Sequence, residues 1–224
     1  MGLIYSGEHD GYITSTSSGF STARDAFVGT LANSTATNYT WAVRASKSSR
    51  GGTTTFFVHR SFFYFDTSAI HDLPESATIN FRGSGAGASD VRVVKSLQNT
   101  SSALTTSAFT NSIDGWVNLQ SDGAGRGDNE DNVRLYDTAT TTTWSTTGYN
   151  TIAMSGEALS DMVGHNELKC CLLDYTYDLK DIEPSSVLNY SGLRYQNYSS
   201  TGSDPYIEYV AGAPNKALFF GANF

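Results

Sequence analysis

Short apolar runs with alternating polar positions recur along the chain, and clusters of Gly, Ser, Asn and Asp separate them. Side chains of a strand alternate between two faces, so this period of two, with turn signals about every 10 to 15 residues, is typical of an antiparallel β-sandwich. A helical period appears once, where Leu159 and Val163 predict a helical turn over Gly156–Val163. The predicted strands are Gly11–Thr14, Asp25–Gly29, Tyr39–Ala45, Thr54–Phe65, Thr78–Gly83, Asp90–Leu97, Gly115–Leu119, Val133–Asp137, Asn150–Ala153, Leu168–Tyr175, Ser191–Gln196 and Tyr206–Val210.

The most apolar stretch is Phe56–Phe65. On a strand, Phe62 and Tyr64 share one face, and the two phenylalanines that alternate with them share the other. A strand that is apolar on both faces is either covered on both sides or has one face held by a partner. We expect the first arrangement, with one packed corner of the core beside Asp66 that consists of Phe63, Phe65, Ile79 and Phe81.

The composition indicates one all-β domain. Charged residues make up 16% of the 224 residues, below the roughly 25% of an average soluble domain, and Ser, Thr, Asn and Gly take their place. Short polar side chains and Gly disfavour helix interiors, while 12% aromatic residues argue against disorder. No shift in composition marks a second domain, so we expect a single sandwich over 1–210 and a tail over 211–224.

The charge distribution argues against nucleic acid and membrane as partners. The net charge is −8, and the longest basic cluster is Arg44, Lys47 and Arg50, which we interpret as a solvated strand edge. No stretch approaches the ~20 apolar residues of a membrane helix. Met1–Ser6 has neither the charged nor the apolar region of a secretory leader, so we expect no cleavable leader.

The only two cysteines, Cys170 and Cys171, are neighbours. Adjacent side chains of a strand point to opposite faces, so these two thiols do not bridge each other easily. Two adjacent thiols also lack the spacing of a zinc site. We expect each cysteine to fill a core position on its own face.

The last residues differ from the rest of the chain. A turn at Ala211–Pro214 follows the last predicted strand, and the segment after it is rich in phenylalanine. Chain ends fray unless contacts hold them. Such a tail either folds back on its own sandwich or docks on a neighbouring chain, and the residues of the predicted assembly interface are Leu218, Phe219, Phe220 and Phe224.

No catalytic motif is present in the sequence. The histidines at 9, 59, 71 and 165 lie far apart, and no metalloprotease or nucleophile-elbow motif accompanies them. Glu8-His9-Asp10 is the densest acid–base group, but neighbours on an extended chain do not converge on one atom, and we interpret it as exposed. Two facing carboxylates of a glycosidase can come from distant positions, so a polysaccharide-cleaving enzyme stays open as an alternative.

Two acidic clusters suggest a structural calcium ion and no other cofactor. The glycine-rich loop between 122 and 131 can wrap oxygen ligands around a hard cation, although its spacing is not that of an EF-hand. A second cluster consists of Asp174, Asp178, Asp181 and Glu183. Each cluster is more often a solvated loop than a calcium site. The predicted metal ligands are Asp122, Asp128, Glu130 and Asp131.

Aromatic residues in or beside loops are candidates for sugar binding. Pyranose faces stack on aromatic rings, while polar groups of the loops bond the hydroxyls. The same residues can instead cap the ends of the sandwich. The candidates are Trp116, Trp144, Tyr149, Tyr190 and Tyr198.

Several short stretches carry a resemblance to a known family. They are Asp10–Ile13 with Phe27–Gly29, Arg60–Asp66 (RSFFYFD), Ile70–Pro74 with Ala77–Phe81, Arg194–Ser199 and Pro205–Tyr209. Through them the chain resembles the DNRLRE family of β-sandwich domains, with Arg60–Asp66 similar to its "RAYLRFD" strand. The resemblance implies a jelly-roll-like sandwich and a role similar to that of carbohydrate-binding modules, on secreted bacterial proteins or on structural proteins of marine phages.

The expected function is that of a non-enzymatic phage virion structural protein: a capsid decoration, a spike or a tail-attached adhesin. It would mediate attachment or stabilise the particle as a homo-oligomer or bound to other virion proteins, with a cell-surface glycan as a further partner. The missing leader and the Phe-rich tail favour a virion over an extracellular location. The alternatives are a secreted or surface carbohydrate-binding module and a polysaccharide lyase or hydrolase.

Deleting Lys216–Phe224 should leave a folded domain that no longer assembles. The four apolar side chains of this segment can bury apolar surface against a neighbour, at roughly 25 cal/mol per Å². Sedimentation of the full-length and the shortened chain, alone and with purified particles, measures assembly. A chain in which Gly and Ser replace the same segment serves as the control for length. Normal assembly of the shortened chain would contradict the prediction that this segment anchors the chain to a neighbour.

Overall fold

The computed structural model describes residues 1–116, 129–185, 189–196 and 201–213. Strands dominate this part of the chain and pair antiparallel, which confirms the predicted all-β fold. Two short helices, α1 (Phe20–Arg24) and α2 (Gly156–Gly164), and a π-helical turn at Tyr175–Leu179 accompany them. The strands are β1 (Gly2–Tyr5), β2 (Gly11–Ser17), β3 (Leu31–Asn33), β4 (Asn38–Arg50), β5 (Thr53–Asp66), β6 (Ser76–Gly87), β7 (Val91–Lys95), β8 (Tyr149–Ala153), β9 (Glu167–Asp174), β10 (Tyr190–Arg194) and β11 (Tyr206–Val210).

The strands form one continuous pairing network that folds over a core. The main order is β1-β11-β6-β10-β4-β5-β2-β3, while β8 pairs with β6, and β9 pairs with β5 and β7. Two long strands change partners along their length: β6 passes from β11 and β8 to β10, and β5 passes from β4 to β9. Strand β6 thereby connects the layer of β1, β8 and β11 to the layer that contains β4, β5 and β10.

Strand β5 is buried on both faces over its second half. Phe63 and Phe65 are fully buried and pack in one cluster with Ile79 and Phe81 of β6, and the rings of Phe63 and Phe81 lie 4.7 Å apart. Phe62, on the opposite face, is fully buried in a second cluster. These contacts confirm the predicted central strand and its packed corner.

The second cluster is covered by helices and loops. Phe20 and Ala23 of α1, Phe109 of a connecting loop and Leu179 of the π-helical turn pack over this face of β5 and β9. Cys171 contributes to this cluster and Cys170 to the other, and both thiols are free and buried. The prediction of one cysteine for each face is confirmed.

The layer that covers Phe63 does not extend over the first half of β5. Phe57 lies on the same face as Phe63 but is only half-buried and is not part of the core cluster around Phe63. On the other face, Phe56 and Val58 remain buried. The first half of β5, with β4 and β10 beside it, therefore presents one face to solvent.

The sequence prediction was wrong at several positions. Residues 25–29 form a loop after α1 instead of a strand, and Val133–Asp137 makes only isolated bridges, at Leu135 and Asp137. Edge strands β1 and β3 and helix α1 were not predicted. The helical turn at Gly156–Val163 corresponds to α2 and is confirmed. Residues 117–119 of the predicted strand Gly115–Leu119 lie outside the described residues.

Replacing Phe63 by Ala should lower the free energy of unfolding by about 3–5 kcal/mol, because the fully buried ring leaves a cavity in the core. Phe27→Ala is the matched control, since the side chain of Phe27 is 64% exposed and its loss should cost within about 0.5 kcal/mol. Urea unfolding of the three proteins measures both effects. Equal losses in the two variants would show that Phe63 is not a core residue.

Candidate functional site

A bulge in strand β4 turns Trp41 toward solvent. The register between β4 and β10 pairs Val43 with Ser191 and Tyr39 with Leu193, so three residues of β4 stand opposite the single residue Gly192. Extra residues in one strand of a pair break its alternation and redirect side chains. The side chain of Trp41 is 42% exposed although it lies inside a paired strand.

The bulge depends on close backbone approach at Gly192. A Cβ atom at this position would lie 1.7 Å from the carbonyl oxygen of Ser84 and 2.8 Å from the Cα of Thr40. The carbonyl oxygen of Gly192 also accepts a hydrogen bond of 2.9 Å from the Nε1 of Trp144. A glycine is therefore required where β4, β6 and β10 meet.

Trp41 lies within a group of aromatic rings that we call the aromatic face. Its ring centre is 6.1 Å from that of Tyr39, 6.5 Å from that of His59 and 6.2 Å from that of Tyr190, all in edge-to-face contact. Tyr39 in turn stacks on His59 at 5.8 Å. Such contacts between rings hold each ring in one orientation. The aromatic face consists of Tyr39, Trp41, Phe57, His59 and Tyr190.

Arg44 forms the floor of the aromatic face. The register places it directly between Tyr190 and His59 on the neighbouring strands. Its guanidinium carbon lies 4.9 Å from the ring centre of Trp41 and 4.2 Å from that of Phe57. Only 7% of Arg44 is exposed, and it is therefore not part of the solvated strand edge predicted from the sequence.

Burial lowers the pKa of Arg44, and the Tyr39 and Tyr190 hydroxyls oppose that shift. Burial and the neighbouring charge of Arg44 lower the pKa of His59 to about 3. The imidazole is therefore neutral at physiological pH and contributes a ring, not a charge. Arg44 is thus the one cation within the aromatic face.

The structure places the predicted sugar-binding residues in different environments. Tyr190 lies on the aromatic face beside Trp41. Trp144 is only 5% exposed and packs in the core, so its predicted stacking role is wrong. The hydroxyl of Tyr149 donates to the carbonyl oxygens of Gly202 and Asp204 at 3.2 Å and holds that turn. Tyr198 lies outside the described residues.

Trp116 covers a buried charge cluster and is not a free stacking platform. Its ring centre lies 4.1 Å from the guanidinium carbon of Arg60 and 4.9 Å from that of Arg24. Arg60 binds Asp178 in bidentate fashion, with distances of 2.8 and 2.7 Å, and both side chains are fully buried. Asp178 belongs to the second acidic cluster, so a guanidinium occupies the place where a cation was predicted.

The predicted calcium loop is only partly described. Glu130 pairs with the Nζ of Lys180 at 2.5 Å and accepts a hydrogen bond from the hydroxyl of Tyr175 at 3.3 Å, while Asp131 is exposed. Within the described ranges no group of three or more His, Cys, Asp or Glu side chains is placed to hold a metal. Asp122 and Asp128 lie outside the described residues, so the loop stays a prediction.

Asp10 is 1% exposed and accepts a hydrogen bond of 3.1 Å from the amide of Tyr64, so the interpretation of Glu8-His9-Asp10 as exposed is wrong for Asp10. The predicted interface residues Leu218, Phe219, Phe220 and Phe224 lie outside the described residues. In the part of the chain that is described, no helix has the length and apolar character needed to cross a membrane.

Three buried carboxyls outside the aromatic face, those of Asp10, Asp137 and Asp174, have pKa values above the usual range, and burial is the main cause in each case. Burial raises the pKa of Asp174 to about 7, although the amide of Tyr177 donates to it at 2.8 Å. Burial likewise raises the pKa of Asp137 to about 6, against the opposing effects of the Val93 amide and the Arg92 charge. Asp174 precedes the π-helical turn and caps it, which is a structural role.

Asp174→Asn should flatten the pH dependence of stability. An unfolded aspartate has a pKa of about 3.9, so between that pH and about 7 the folded state binds more protons at Asp174. Its stabilisation is complete below the unfolded pKa and is lost as the pH rises through the folded value. Urea unfolding across this window should show a smaller decline for Asp174→Asn than for the native chain. Asp131→Asn is the control, because Asp131 is exposed. Parallel curves of stability against pH for all three proteins would contradict the raised pKa of Asp174.

A comparison of the chain with protein-family models and with curated proteins found no match to either. The resemblance to the DNRLRE family therefore stays a prediction. Evidence for function comes from the geometry of the aromatic face.

Proposed function

We propose that this chain is a non-enzymatic binding domain that holds a saccharide on the aromatic face and serves in attachment. The observation that carries the proposal is the exposure of Trp41 on a bulge, with the rings of Tyr39, His59 and Tyr190 fixed around it. A residue with only a structural role in β4 would not need a large ring that a bulge in the strand turns into solvent.

The chemistry of such a face suits a sugar. The C–H face of a pyranose is apolar and packs on an aromatic ring, while its hydroxyls need polar partners at the rim. Trp41 supplies the ring, and the Tyr39 and Tyr190 hydroxyls and Arg44 supply polar groups next to it. Because edge-to-face contacts already hold Trp41 in place, binding would cost little side-chain entropy.

The electrostatics of the aromatic face support binding in preference to catalysis. General acid–base chemistry needs a group whose pKa lies near the operating pH. The pKa of His59 is about 3, so its ring is a poor proton acceptor there. The buried carboxyls with raised pKa values, Asp10, Asp137 and Asp174, accept hydrogen bonds from the backbone amides of Tyr64, Val93 and Tyr177, respectively.

Attachment through such a face also suits the virion role predicted from the sequence. One stacked ring gives weak affinity, and many copies on one particle convert weak contacts into strong attachment. A second candidate function, assembly with further copies or other virion proteins, is favoured by the edge strands at the two ends of the main order. Leu3 and Tyr5 of β1 and Leu31 of β3 are each about half exposed there, and exposed apolar edges are templates for pairing.

Trp41→Ala should weaken saccharide binding about tenfold or more, the equivalent of about 1.4 kcal/mol or more, because the stacking ring is lost. Isothermal titration with a panel of neutral and acidic oligosaccharides measures Kd. Trp41→Phe should retain part of the affinity, and Phe27→Ala, which removes an exposed ring elsewhere, should retain all of it. Unchanged binding in Trp41→Ala, or no binding of any saccharide by the folded native chain, would refute the proposal.

A further inference from the structure

Four arginines are buried in the described part of the chain, and three of them pair with a carboxylate. Arg24 lies 2.8 Å from Asp25, Arg60 lies 2.7 Å from Asp178, and Arg92 lies 3.0 Å from Asp137. The fourth makes no ion pair with any described residue, and its Nε donates to the neutral hydroxyl of Ser46. This exception is Arg44, at the floor of the aromatic face.

A buried cation without an anion is costly, because it gives up hydration without gaining a partner. The rings of Trp41 and Phe57 offset part of that cost through their π faces. Of the groups that face Arg44 from β4, β5 and β10, Tyr39 and Tyr190 present hydroxyls, and the imidazole of His59 is neutral. The chain has a net charge of −8, yet among the residues that the structure describes no carboxylate pairs with this one arginine.

We infer that the saccharide bound by the aromatic face is acidic, and that its carboxylate or sulfate group pairs with Arg44. This inference rests on the proposed function and specifies its ligand class. The guanidinium fork of arginine matches both anions in bidentate geometry, and the pair gains strength where the rings exclude water.

The geometry fits one sugar unit of such a polymer. The carboxylate of a uronate stands on a carbon of its pyranose ring, so a ring stacked on Trp41 carries it beside the stack. The guanidinium carbon of Arg44 lies over the Trp41 ring, 4.9 Å from its centre, within reach of a carboxylate carried past the edge of that ring. A neutral hexose in the same position would leave the cation unpaired. The net negative charge of the chain would repel an acidic polymer elsewhere, which confines binding to this face.

The test compares an oligogalacturonate with its methyl ester of equal length, because esterification removes the charge and keeps the ring. The native chain should bind the acid about tenfold or more tightly than the ester, as expected for hydrogen bonds to a charged group. The preference should shrink as salt screens the pair. A sulfated galactan and its desulfated form make up a second arm, which distinguishes sulfate from carboxylate as the anion.

Arg44→Met should remove the preference, so that acid and ester bind with equal affinity, while Trp41→Ala should weaken binding of both. Arg44→Lys keeps the charge but not the fork and should retain only part of the preference. Thermal unfolding of Arg44→Met checks its fold, and the comparison of acid with ester on the native chain needs no variant.

Equal affinity for acid and ester and for both galactans, together with sensitivity to Trp41→Ala, would overturn the acidic ligand and leave the saccharide site standing. A preference for an acidic polymer that survives in folded Arg44→Met would also overturn it, because the anion would then bind elsewhere. No binding of any of these saccharides would overturn the saccharide site itself.

Discussion

The burial of β5 on both faces is the constraint on which the rest of the structure depends. Phe62 requires the cover of α1 and the connecting loops, while Phe63 and Phe65 require the opposing layer of β6, β8 and β11. Strand β5 extends beyond the layer of β6, β8 and β11 that covers Phe63 and Phe65. The same face of its first half is therefore open, together with the neighbouring face of β4 and β10. The aromatic face lies where the sandwich ends, and its position follows from the length of β5.

The sequence predicted those parts of the fold in which the pattern of apolar residues is long enough to be distinctive. The alternation through Phe56–Phe65 identified the central strand, and Leu159 with Val163 identified α2. Strands β1 and β3 are short edge strands whose positions are determined by pairing with β11 and β2, not by their own residues. Residues 25–29 look extended in sequence but continue from a five-residue helix that tertiary packing stabilises.

The site was harder to predict, because residue type does not reveal which side of a strand is covered. Trp144, in a threonine-rich loop, resembles a surface ring in sequence, yet it is buried and binds the carbonyl oxygen of Gly192. Trp41 lies inside a strand that was correctly predicted, where regular alternation gives no reason to expect solvent. The bulge that turns it outward depends on Gly192 meeting Ser84 and Thr40, which are distant in sequence from that glycine.

The arginines illustrate the same limit in electrostatic terms. Arg44 and Arg60 are adjacent in the folded sheet, since Arg44 pairs in register with His59. Arg60 points to the face closed by the π-helical turn, which supplies the carboxylate of Asp178. Arg44 points to the open face, where no described element follows to supply one. One cation is neutralised by the fold, and the other is the cation for which we propose an anionic ligand beside Trp41.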